Sequence, residues 1–270
     1  MRKFLMATAV AAATLLAAPL AADHHMTAPE LTAALAQANR AEDRARDQFR
    51  HPAETLAFFG VKPGMTVADY MPSGGWYTRV LVPYLGASGS YIGLNPDGST
   101  ANNTGFTEYA AKLTPRFKEL SPAWSLSGAP VMVHNSNELE PMNGTVDRVL
   151  IFREMHNLLR NGMMHQELTR MRALLKDDGM LGIVQHRAKP WANGDYTDGS
   201  KGYLRQSDVI GLVEAHGFAL VGTSEVNANP MDAANHEKGV WEMPPVLGSK
   251  RDDLKNMGES DRMTLLFRKR

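Results

Sequence analysis

The stretch that decides the fold is Ala68 to Leu81, "ADYMPSGGWYTRVL". A short apolar run meets an acid, passes through Pro72-Ser73-Gly74-Gly75 and continues into a helix-like segment. It reads either as the ligand-binding turn of a strand–loop–helix unit or as a tight turn that happens to be rich in glycine. Open parallel sheets bind ligands at the carboxyl ends of their strands, and glycines let the backbone approach a ligand closely. The dinucleotide fingerprint Gly-x-Gly-x-x-Gly is absent, and no lysine follows for a phosphate loop. Both absences argue against a pyrophosphate.

On either side of this turn, strand-like and helix-like segments alternate. Strands are expected at 65–70, Ser90–Asn95, 131–134, Val146–Phe152, 179–186, 218–225 and 263–267. Helices are expected at 76–85, 106–113, 166–176 and 208–215, the last capped by Ser207. A turn at Asp177-Asp178-Gly179 should precede the fifth strand. Such alternation predicts an α/β chain with a mostly parallel sheet and helices on both faces. Only a loop joins the last two strands, which permits an antiparallel terminal strand. That loop, 227–260, is long and polar, and such connections are usually functional or mobile. The helix-forming, alanine-rich stretch 23–46 and the helix opening at His51-Pro52 complete a helical segment over 23–62. The α/β domain is then 63–270, with 227–260 as an insertion.

The first residues do not look like part of the fold. Arg2 and Lys3 precede a short apolar stretch and the small pair Ala21-Ala22, the pattern of a secretory signal over 1–22. The expected location is the periplasm or the exterior, with no stable membrane association after cleavage. Cleavage after Ala22 leaves 27 basic residues against 29 acidic. That balance disfavours nucleic acid as a partner. With no cysteine there is no disulfide. No His-Glu-x-x-His spacing marks a metal site, and no Gly-x-Ser-x-Gly elbow marks a serine hydrolase. Asp23-His24-His25, if freed by cleavage, has the donor set for square-planar copper(II) or nickel(II).

The segment "RHPAETLAFFGVKPGMTVADYMPSGGWYTRVLVPYLG" resembles the exported class I S-adenosylmethionine-dependent methyltransferases. So do "VDRVLIFREMHNLL", "MRALLKDDGMLGIVQHRA", "YLRQSDVIGLVEAHGFALVGTSEVNANPMD" and "DRMTLLFRKR", in that order along residues 45–270. The resemblance implies a Rossmann-like, seven-stranded class I methyltransferase fold, S-adenosyl-L-methionine as cofactor and a small-molecule acceptor. It differs from the superfamily's acid-x-Gly-x-Gly-x-Gly, whose glycine positions fall here on Met71, Ser73 and Gly75. Ser73 also replaces a glycine of the subfamily's Pro-Gly-Gly-Gly-Trp-Tyr.

On this resemblance the cofactor would lie over Asp69, Pro72, Gly74, Gly75 and Tyr77. Asn95 and Asp97 at the second strand's end would face the ribose, and Asn137 or Glu138 the adenine. Arg50 would reach the methionyl carboxylate. "FREMHNLL" packs Arg153, Glu154, His156 and Asn157 after the fourth strand. Arg153 is read as a cofactor contact and His156 as the general base. Asn157 would orient the acceptor, and Glu154 would fix the imidazole. His186 and Arg187 end the fifth strand facing the same cleft. The alternative is an exported, non-catalytic ligand-binding protein that keeps the fold. Export motivates it, since the cofactor is made in the cytoplasm.

Overall fold

A computed structural model describes residues 28–270. The expected signal segment and the Asp23-His24-His25 terminus lie outside the described residues. The strands are β1 (Thr66–Tyr70), β2 (Ser90–Asn95), β3 (Val131–Asn135), β4 (Val146–Phe152), β5 (Leu175–His186), β6 (Phe218–Ser224) and β7 (Arg262–Lys269). They form one sheet in the order β3-β2-β1-β4-β5-β7-β6. β1 to β5 pair in parallel, and β7 runs antiparallel between β5 and β6. The central strands read as unbroken apolar runs, such as Val149-Leu150-Ile151-Phe152, because both faces of the sheet are covered.

One face carries α1 (Pro29–Leu35), α3 (Pro52–Phe58) and α4 (Thr78–Leu85), packed on Val67, Tyr91, Leu150 and Phe152. The other carries α6 (Met155–Arg160), α7 (Met164–Leu174) and α8 (Gln206–Ala215), packed on Ala68, Ile92, Val149 and Ile151. The short α2 (Asp47–Arg50) leads into α3 through His51, whose φ of 41° turns the chain. Pro52 then opens α3 with its fixed φ. No helix among the described residues is long and apolar enough to cross a membrane.

Four local expectations are corrected. Of the stretch 23–46, the described part, 28–46, is not one helix: α1 ends at Leu35, and 3-10 turns follow. Polar side chains there point inward instead. Fully buried Arg40 pairs with Asp47 at 2.7 Å, and Asp43 pairs with Arg79 at 2.6 Å. The helix expected at 106–113 is α5, Thr104–Leu120, opened by the Asn103 side chain accepting from the Phe106 N–H. Asp177-Asp178-Gly179 is no turn but an irregularity inside β5: Leu175 pairs with Val146, and pairing resumes at Met180 with Arg148. Arg205, not Ser207, is the N-cap of α8.

The connection 227–260 is packed rather than open. Its anchor is Asp232, fully buried. Oδ2 accepts from the Tyr203 hydroxyl and the Asp261 N–H, both at 2.8 Å. Oδ1 accepts from the Ala234 N–H at 2.8 Å and lies 2.9 Å from His236 Nε2. Four partners satisfy a buried carboxylate that would otherwise be costly to desolvate.

Candidate functional site

Asp69, Arg153, Glu154 and His186 sit at the carboxyl edge of the sheet, where β1, β4 and β5 end. The β1 turn reaches this edge by unusual backbone. Met71, Ser73 and Gly75 have φ of 52°, 51° and 74°. Two of the three are not glycine, and left-handed backbone costs an L side chain about 1 kcal/mol or more. The Met71 N–H still donates to Leu94 O, which extends the β1–β2 pairing past the strand. Met71 itself is buried in the core with Leu94 and Phe106. Ser73 and Gly74 are exposed at the tip, and Pro72 packs toward Gly93.

The two glycines differ. A Cβ on Gly74 would meet nothing within 4 Å, whereas one on Gly75 would lie 2.5 Å from the Trp124 ring. The bare edge of Gly74 is thus open, and that of Gly75 is already taken by an aromatic side chain.

Asp69 lies under the first turn of α4 and is 2% exposed. Its Oδ2 accepts from the Tyr91 hydroxyl at 2.9 Å, and that hydroxyl is 2.7 Å from Thr78 Oγ1. Burial pushes the carboxyl up to about 7, with Glu154 adding to the push; Tyr91 and Arg153 oppose it. Burial also brings Glu154 to about 7, opposed by Asn157, Arg153 and Arg160. Asn157 Nδ2 donates to Glu154 Oε2 at 2.5 Å, and Asn157 Oδ1 is buried without a partner.

Arg153 follows β4 with φ of 65°. Strain of this kind persists where surrounding structure imposes it, and it clusters at functional sites. Its guanidinium has no hydrogen-bond or ion-pair partner among the described residues, yet its charge is felt by Asp69, Glu154, Arg50 and Tyr77. Arg50, whose ionisation also feels this charge, is stacked 4.6 Å from the Trp76 ring centre. Burial and Arg153 pull Arg50 down to about 8, against the pull of Glu259. Tyr77 is buried and stacked on Phe152 at 3.6 Å between ring centres, so it presents its hydroxyl rather than its face to these arginines.

The histidines lie deeper. His156 is 5% exposed; burial and Arg160 pull it down to about 4, and Nδ1 has no partner. Its ring lies 5.8 Å from that of His186 and 6.0 Å from that of Trp241, which the 227–260 connection brings over it. His186 Nδ1 lies 2.6 Å from Ser260 Oγ, and burial holds His186 well below the usual histidine range. Arg187 is engaged by Asp261 and Glu225, so its charge is already matched.

The expected ribose contacts are drawn elsewhere. α5 contributes Phe106, Ala110 and Leu113 to one core layer and Phe117 to the other, so it crosses the sheet edge. Thr114 in its middle accepts from Asn95 Nδ2 at 3.0 Å and donates to Asn135 Oδ1 at 2.8 Å. The ends of β2 and β3 are thereby tied to a helix rather than offered to a ligand. Asp97 caps the next turn through Ser99 and pairs with Arg170 at 3.1 Å. Glu138 closes a capping box with Asn135.

Between α5 and α6 lies a cavity of about 360 Å³, lined by Asn103, Phe106, Tyr109, Asn157 and Arg160 among others. Asn157 belongs both to this wall and to the Glu154 hydrogen bond, so the cavity adjoins Glu154. Sequence reasoning missed α5 as a wall, and it missed Trp241 over His156. Neither carries a local motif.

The strand order with its antiparallel β7 decides the architecture. The fold is that of the class I methyltransferases. Among solved structures with this fold, similarity extends to a complex of the Haloferax volcanii Trm112 methyltransferase activator with a methyltransferase. The identity there is 12%, the TM-score 0.52, and 89% of this chain and 97% of that chain are covered. The PH0226 protein of Pyrococcus horikoshii OT3 matches at 10% identity and TM-score 0.51, over 87% and 93% of the two chains. The [4+2]-cyclase SpnF matches at 15% identity and TM-score 0.50, over 87% and 84%. No protein-family model matches the chain, and no curated protein does. Identities this low speak for the fold alone, and one fold hosts many activities.

Proposed function

We propose that this chain binds S-adenosyl-L-methionine at the β1–β4 edge and transfers its methyl group to a small acceptor. The observation that carries this reading is the pair Arg50 and Arg153, with an unmatched guanidinium on strained backbone beside Asp69. In a class I fold that place suits the amino-acid end of the cofactor. Arg153 and Arg50 bind the carboxylate. Asp69 attracts the amino group, and the open edge of Gly74 admits the chain between them. The residues present therefore fit the methionyl end. When bound, the cofactor supplies a sulfonium-activated methyl group. Glu154, held near neutrality, takes the acceptor's proton, and Asn157 orients the acceptor from the wall of the adjoining cavity. Alignment and exclusion of water then account for the remaining rate gain. The apolar stretch after Arg2-Lys3 supports placing the mature chain in the periplasm.

A specific observation favours a second reading, an exported ligand-binding protein without transferase activity. Asn95 and Asn135 are tied to Thr114, and α5 lies across the edge where the adenosyl end would rest. SpnF, a cyclase on the same architecture, is an example of the fold serving other chemistry.

Calorimetry of residues 23–270 with S-adenosylmethionine and S-adenosylhomocysteine separates them. Micromolar binding, weakened at least about tenfold by Arg153→Gln (about 1.4 kcal/mol), is the expected result. A folded protein that binds neither compound would overturn the transferase reading.

A further inference from the structure

A second cavity, of about 220 Å³, opens between α2 and the start of β7, lined by Phe49, His51, Asn229, Asn256, Glu259 and Arg262 among others. It is smaller than drug-sized sites, which run from roughly 300 to 1,000 Å³. Its inner wall is built around one carboxylate. Glu259 Oε1 accepts from Arg46 Nε at 2.6 Å and from Arg50 Nε at 3.3 Å. Oε2 accepts from Arg50 at 3.3 Å and from Arg262 Nη1 at 3.1 Å. Three guanidinium groups thus share a single negative charge, with Arg153 adding a fourth positive charge nearby.

Arg262 is 2% exposed and lines the cavity. It donates to Glu259 and to Phe49 O, but its Nε is buried with no partner. Of the wall's amides, Asn229 is fully engaged: its Oδ1 accepts from the Met231 N–H, and its Nδ2 donates to Met257 O and Glu259 O, while Asn227 Nδ2 donates to Thr55 and Thr264. Asn256 is exposed at the rim. Around this cavity the arginines outnumber the one carboxylate.

We propose that this cavity is a binding site for a small oxyanion, a carboxylate or a sulfate-like group, recognised by Arg262 with Arg46 and Arg50 behind it. Glu259 stands in its wall without repelling the anion, because both its oxygens are engaged by arginines. Those contacts outweigh its burial and hold it at about 2. Burial, with neighbouring arginines adding to it and Glu259 opposing it, pulls Arg262 down to about 10 and Arg50 to about 8. A bound anion opposes that pull. The cavity's lining is separate from the β1–β4 edge, although Arg50 stands behind both, and it does not require a cofactor there.

The test is calorimetric titration of the protein with sodium sulfate and, separately, disodium succinate, at constant ionic strength held with chloride. One saturable site per chain is expected. Preference for succinate marks an organic acid as the natural occupant, and preference for sulfate marks an inorganic anion. Asn256→Asp, a rim change that leaves the arginines in place, should weaken binding about tenfold. Glu259→Gln should tighten it and lower the melting temperature in chloride, and sulfate should restore that temperature. Absence of saturable binding in a folded protein would overturn the proposal. So would an Asn256→Asp variant that binds as well as the parent, or a Glu259→Gln variant that melts equally in chloride and sulfate. S-adenosylhomocysteine binding, measured in the same samples, reports on the β1–β4 edge, and saturable anion binding by a protein that does not bind it would sink that reading while leaving this proposal standing.

Discussion

The Tyr91 hydroxyl donates to Asp69 Oδ2 at 2.9 Å, so the acid at the tip of β1 is held from within the sheet. Tyr91 is fully buried, and the pair is covered by α4. The carboxyl therefore meets its first partner before any ligand arrives, and burial sets its proton affinity.

That arrangement gives stability a pH dependence of definite sign. Unfolded, Asp69 releases its proton near 3.8; folded, it keeps the proton up to about 7. Raising the pH through this window favours the unfolded chain, so stability falls from about pH 4 to about pH 7 and levels off above. The full effect is at most about 4 kcal/mol. Asp69→Asn carries no such loss. It should match the parent at pH 4.5 and exceed it by about 2 kcal/mol or more at pH 8 in urea unfolding. A difference that does not change with pH would show that Asp69 is already ionised in the fold.

The glycine turn makes a second prediction. Gly75→Ala combines positive φ with a Cβ 2.5 Å from Trp124. It should cost about 2–4 kcal/mol whether or not a ligand binds there. Gly74→Ala meets nothing and should stay within about 0.5 kcal/mol of the parent. If the turn holds a ligand, Gly74→Ala weakens S-adenosylhomocysteine binding at unchanged melting temperature. Equal melting temperatures for both variants would refute the placement of Trp124.

Much of this was legible before any coordinates. The apolar runs of β1, β4 and β5 need both faces covered, and the bare loop before β7 permits its reversal, so the pattern yields a mostly parallel sheet, while the seven-stranded class I arrangement rested on the resemblance. Gly74 and Asp69 follow from the same turn. What was hidden is tertiary. Asn95 looks like a ribose ligand until Thr114, nineteen residues on, takes its amide. His156 looks like an accessible base until Trp241 covers it. The Glu259 cluster joins α2 to β7 across more than two hundred residues. Hydrophobic periodicity says nothing about such polar partnerships.

The 227–260 connection should depend on Asp232. Burial would raise this carboxyl, but bonds from His236, Ala234, Asp261 and Tyr203 hold it below its ordinary value. Its contribution is present above about pH 4 and is lost as the pH falls through the depressed folded value. Asp232→Ala leaves the Tyr203 hydroxyl and the Asp261 N–H without acceptors and should cost about 3 kcal/mol or more. Limited proteolysis should then cut within 233–258 under conditions where the parent resists. An uncut connection in the variant would mean that packing of Trp241 and Val240 alone holds it.

The last prediction concerns which group moves a proton. Burial and Arg160 hold His156 near 4, so its imidazole is neutral throughout the physiological range and a weak base. Glu154 is held near 7 by burial and lies next to the Asn157 amide. An efficient general base has a pKa close to the working pH, which favours the carboxylate over the imidazole. Nitrogen-15 spectra should show the His156 ring neutral down to about pH 5. Once an acceptor is found, kcat/KM should rise with pH through about 7, and Glu154→Gln should abolish that limb while His156→Gln leaves it in place. A limb that survives Glu154→Gln and disappears in His156→Gln would return the role to the histidine and require Trp241 to lift from it during turnover.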